Sequence, residues 1–74
     1  MKVAQLGKYA IYVYREIGGV HHLPHCHVRW ADGSVVVALP TLDVIAGGQL
    51  PRDARKLVAD NLEKILKAWY QLNP

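Results

Sequence analysis

His21-His22-Leu23-Pro24-His25-Cys26-His27 places all four histidines of the chain and its single cysteine within one short stretch. Three chemistries suit such a cluster. His25 and His27 stand two apart, as His-x-His metal ligands on one strand face do, and His21 or His22 could add a third nitrogen. The set His21, His25 and His27 would suit zinc or another divalent transition metal such as Ni or Cu. Arg29, two residues further on, offers a metal-free alternative: a histidine as general acid or base with the guanidinium steadying a phosphate, as in a ribonuclease. On that reading His25, His27 and Arg29 are the candidate catalytic residues and no cofactor is needed. Third, the imidazoles could form a pH-sensitive structural element. No Asp, Glu or second Cys sits near the histidines in sequence to complete a charged metal set. No Ser-His-Asp grouping, paired carboxylate or glycine-rich phosphate loop accompanies them either, and Gly18-Gly19 and Gly47-Gly48 read as turns.

The elements that position these residues follow from local pattern. Residues 9–15 are β-branched and aromatic and read as a strand ended by Gly18-Gly19. Residues 25–31 form a second strand, and Asp32-Gly33 reads as a type I′ hairpin turn. Residues 34–39 return, Pro40 stops the ladder, and 42–46 make a short fourth strand. From Pro51, the apolar residues Ala54, Leu57, Val58, Leu62, Ile65, Leu66 and Trp69 recur at helical spacing, predicting one helix over 51–72 with a kink near Asn61. Asp60 and Glu63 also resemble a capping pair at which the helix could restart.

A two-residue turn at Asp32-Gly33 pairs Trp30 with Val35 and Val28 with Val37. Side chains alternate across a strand, so Cys26, Val28, Trp30, Val35, Val37 and Leu39 share an apolar face that belongs under the helix. The opposite face holds His25, His27, Arg29, Ser34, Val36 and Ala38. If Ile11 and Val13 also face the helix, Tyr12 and Tyr14 join the histidines. Such a mix of rings and donors could receive a base or a phosphate, with Tyr12, Tyr14 and His21 as binding residues. The plainer reading is that an open sheet face is polar whatever its role.

Composition limits the alternatives. The 74 residues make a single domain spanning 1–74, too small for a separate cofactor-binding fold. Half the residues are hydrophobic and 20% are charged, a globular balance. The net charge is +3, spread evenly with no basic tail. One cysteine excludes an intrachain disulfide and fits a reducing cytoplasm. Neither a signal peptide nor a membrane-spanning run is evident.

The stretch from His21 to Val28 resembles the His-x-Pro-Pro-His-Phe-His-Val hallmark of a family of small bacterial and archaeal proteins, domain of unknown function 4160. Gly48, Gln49, Leu50, Pro51 and Arg52 are similar to that family's step into its helix, and Trp69 to its late tryptophan. Leu23 stands for the first proline and Cys26 for the phenylalanine, which keeps an apolar residue on the helix-facing side. Asn61 falls where the family carries a mid-helix tryptophan. The resemblance implies a place in a small two-gene, toxin–antitoxin-like module, and so a partner more than a reaction.

These readings combine into an α+β fold: a three- or four-stranded antiparallel meander with one long C-terminal helix packed on one face. The leading expectation is a cytoplasmic module component that acts on RNA or binds a small protein partner through its His/Arg face. The alternatives are a metal-binding module and an interaction domain without catalysis. Trp30 and Val37 should be buried against Leu57, Leu62 or Ile65, and neither His25 nor His27 should belong to the core. Residues 9–14, long and uncharged, would form an edge liable to pair, predicting a homodimer or partner complex.

Overall fold

Ile11, Val13, Cys26, Val28 and Val37 are fully buried, and their alternation with polar residues builds the inner face of a sheet. The computed structural model describes residues 1–16 and 23–74. Five strands run antiparallel in sequential order: β1 (Lys2–Leu6), β2 (Tyr9–Tyr12), β3 (His25–Trp30), β4 (Gly33–Ala38) and β5 (Val44–Ala46). Helices α1 (Arg52–Asp60) and α2 (Leu62–Leu72) follow. Their buried residues Ala54, Leu57, Val58, Ile65, Ala68 and Trp69 join the inner sheet face in one hydrophobic cluster. The α+β meander is as expected, with five strands instead of three or four and two helices instead of one.

Each difference has a local cause. β1 was not expected because its alternation is broken: Lys2 pairs with Tyr12 but Ala4 with Ile11, so Val3 is an extra residue in the ladder. With β1 in place, Tyr9–Tyr12 is an inner strand and not the edge that suggested self-association. The helix breaks at Asn61, whose side-chain amide donates to the Leu57 carbonyl at 2.8 Å. That carbonyl is the acceptor a continuous helix assigns to the Asn61 N–H, which is instead shared between Leu57 and Val58 at 3.2 Å. Asp60 does not cap α2; it pairs with Lys56 at 2.7 Å.

The β3–β4 hairpin turns at Ala31-Asp32, one residue earlier than the Asp32-Gly33 signal suggests. Trp30 pairs with Gly33, Val28 with Val35 and His27 with Val36. Neither Ala31 nor Asp32 has positive φ, which excludes a type I′ turn. The Trp30 indole lies over Gly33, where a Cβ would stand 3.1 Å from the ring, so glycine serves the cross-strand pair and not the turn. The register moves by two positions, and the assignment of side chains to faces survives. Trp30 packs against the margin of the core, edge-on to Tyr9 at 5.6 Å, but is only half-buried and not buried as expected. The deeply buried tryptophan is Trp69.

Candidate functional site

The helices cover one side of the sheet only. On the other side, strand pairing sets Lys2, Tyr12, His27, Val36 and Ala46 in one row, and Ala10, Arg29 and Ser34 in the next. Tyr12, Tyr14 and His27 are half-buried on this face, and Arg29 is exposed. Tyr12 and Tyr14 stack nearly parallel, 6.1 Å between centroids and 4° apart in plane. Arg29 ties them together: its guanidinium lies 5.6 Å from the Tyr12 ring centre and donates to the Tyr14 hydroxyl at 3.3 Å. His27 meets the Tyr14 ring edge-on at 4.8 Å. Arg29 has no carboxylate partner among the described residues. No residue of the five strands is acidic.

At the end of this face, three side chains converge. Glu16 Oε1 lies 3.2 Å from His25 Nε2 and 3.7 Å from His27 Nε2. The carboxylate arrives there because the Tyr14–Glu16 segment is clamped to the end of α2. Asn73 Oδ1 accepts the Glu16 N–H at 2.7 Å, and Asn73 Nδ2 donates to the Tyr14 and Trp69 carbonyls, each at 3.1 Å. With the amide turned the other way all three bonds would be lost.

His25 is not the exposed residue that alternation suggested. It is 5% exposed, and its ring packs 4.6 Å from that of Trp69. The reason is its position at the start of β3, where the last turns of α2 fold over the sheet end. Its Nδ1 lies 2.9 Å from the Leu23 carbonyl. A carbonyl only accepts, so Nδ1 carries the proton and Nε2 is the nitrogen turned to Glu16. His27 is half-buried, and its Nε2 is shielded from solvent with no hydrogen-bond partner. Burial holds the His27 pKa below its usual 6.5, and nearby His25 adds to this, while Glu16 acts in the opposite sense. Cys26 is fully buried on the opposite face, and burial pushes its thiol up to about 12.

Of the sequence candidates, then, Tyr12, Tyr14, His27 and Arg29 gather on the open face, while His25 lies inside its rim. His21, His22 and the Gly18-Gly19 turn lie outside the described residues. Sequence reading missed Glu16 and Asn73. Glu16 was within reach: the alternation that puts Tyr12 and Tyr14 on the histidine face continues one step to Glu16. It was passed over because it sits nine residues before His25, at the start of a glycine-containing break. Asn73 carried no local signal.

Fold and site together define a small α+β protein with an uncovered, ring-bearing sheet face and a Glu-His-His cluster at its rim. The chain belongs to the family described as Domain of unknown function (DUF4160), whose family model matches residues 9–70. This agrees with the resemblance carried by the histidine motif, and it leaves β1 outside the matched span. No curated protein and no solved structure matches the chain significantly. Among the described residues no helix is long and apolar enough to cross a membrane.

Proposed function

We propose that the uncovered sheet face binds single-stranded RNA. One observation carries the reading: the stacked Tyr12–Tyr14 pair, His27, and the cations Lys2 and Arg29 share a face to which the strands contribute no carboxylate. Aromatic rings on a sheet offer platforms for unstacked bases, and neighbouring cations attract the phosphates between them. Arg29 is braced by both tyrosines and keeps further N–H donors for a phosphate oxygen. His27 lies beside Arg29 on the same face, and its ring, edge-on to Tyr14, extends the aromatic surface. A role of this kind suits the toxin–antitoxin-like setting that the family resemblance implies.

The test is fluorescence anisotropy with a short labelled single-stranded RNA and the untagged full chain. Tyr12→Ala should weaken binding about 5- to 150-fold, the value of one base–ring stack. Arg29→Ala should weaken it too and reduce the salt slope by about 0.7, the loss of one phosphate contact on a single strand. Tyr70→Ala, on the exposed side of α2, should change nothing. If the wild type binds no RNA, or the face variants bind as well as it does, the reading is wrong. Saturable binding of a small protein partner, lost with the same variants while RNA does not bind, would give the face to that partner instead.

A further inference from the structure

We propose that Glu16, His25 and His27 form a binding site for a divalent first-row transition ion, zinc being the best match. The three ligand atoms all lie within 4.8 Å of one another. In a tetrahedral zinc site with bonds of about 2.0–2.1 Å, neighbouring ligand atoms stand about 3.3 Å apart. The Glu16–His25 and Glu16–His27 separations of 3.2 and 3.7 Å are close to that edge.

The hydrogen bonding points the same way. The Leu23 carbonyl fixes the His25 proton on Nδ1, which is the outer-shell bond that orients metal-ligating imidazoles. His25 Nε2 faces the Glu16 carboxylate oxygen at 3.2 Å, so an ion bound there would take the place of a proton between nitrogen and oxygen. The His27 Nε2 is shielded from water, has no hydrogen-bond partner, and is directed at the same oxygen from too far for a hydrogen bond. An ion between the three atoms would engage all of them at once. Imidazole nitrogen with one carboxylate oxygen is a donor set for zinc, cobalt, nickel or iron and not for calcium or magnesium, which prefer oxygen alone.

The support around the site is rigid where the ligands leave the backbone. His25 is pinned between Leu23 and Trp69, His27 sits within the β3 ladder, and the Glu16 backbone is clamped by Asn73. Three protein ligands leave a coordination position for water or an incoming group. The site requires nothing of RNA binding.

The experiment uses the full chain, freed of any affinity tag and stripped with a chelator, titrated with Co2+ and with Zn2+. We expect one ion per chain, a visible cobalt absorption band that Zn2+ bleaches, and a rise in Tm with Zn2+. Glu16→Gln and His27→Gln should each weaken the ion by at least about 100-fold, more than the loss of an outer-shell partner does, with circular dichroism like that of the wild type. The double variant His21→Ala/His22→Ala should still bind one ion with the same cobalt spectrum. Loss of the ion in that double variant with retention in Glu16→Gln would place the metal on the histidine string and overturn the assignment. So would a stripped wild type that takes up neither ion at micromolar concentration, leaving Glu16 and His25 as an ion pair.

Discussion

Replacing Asn73 by alanine tests how the carboxylate is brought to the histidines. The side chain makes three hydrogen bonds, to the Glu16 N–H and to the Tyr14 and Trp69 carbonyls. They are not equal. The Trp69 carbonyl also accepts the Asn73 backbone N–H at 2.8 Å, so it stays partnered after the substitution. The Glu16 N–H and Tyr14 carbonyl lose the partner that joins them to α2. Each bond contributes about 0.5–1.5 kcal/mol net, so Asn73→Ala should cost about 2 kcal/mol. A domain of this size has roughly 4–11 kcal/mol of stability in total, and the loss should lower Tm by roughly 8–16 °C. Urea unfolding followed by tryptophan fluorescence measures the difference. Gln71→Ala, exposed and without these bonds, serves as the control and should stay within about 0.5 kcal/mol of wild type. Amide exchange adds a local readout: the Glu16 N–H should exchange faster in Asn73→Ala while the β3–β4 ladder stays protected. An Asn73→Ala protein as stable as the control, with its Glu16 amide still protected, would refute the clamp.

Gly47→Ala should destabilise by about 2–3 kcal/mol in denaturant unfolding, because φ is +98° and a Cβ would clash with the Ser34 carbonyl oxygen and the Val35 Cα of the neighbouring strand; a neutral change would contradict this close strand approach. The Cys26 thiol, buried and with its pKa at about 12, should not react with an aromatic disulfide reagent at pH 8 in the native protein and should react fully on unfolding. His27 binds its proton less readily folded than unfolded, since its pKa is lowered. Its contribution to the stability of the metal-free protein is therefore complete above about pH 6.5 and is lost as pH falls through the folded pKa. His27→Gln should flatten that limb of the stability–pH curve, and a wild type gaining stability relative to the variant on acidification would reverse the sign.

What was legible in the sequence were features that repeat. Cys26, Val28, Val35 and Val37 alternate without interruption, so their common face could be read even though the hairpin register was two positions off. Tyr12, Tyr14, His27 and Arg29 followed from the same alternation. What could not be read depends on contacts between distant segments. β1 has a bulge at Val3 that erases its period. The burial of His25 depends on Trp69 reaching the sheet end, 44 positions along the chain. Trp30 looked like core because it lies on the inner face, yet it occupies the sheet's rim, where Gly33 gives its ring room. The Glu16 carboxylate depends on Asn73, 57 positions away.

The central claim is that the uncovered face, and not the helical layer, is the binding surface for single-stranded RNA. Amide chemical-shift mapping of the isotopically labelled chain during RNA titration tests it most directly. The account predicts saturable shifts at Tyr12, Tyr14, His27, Arg29 and Val36, with the solvent side of α1 and α2 unchanged. Shifts confined to the helices, or none at saturating RNA, would contradict it.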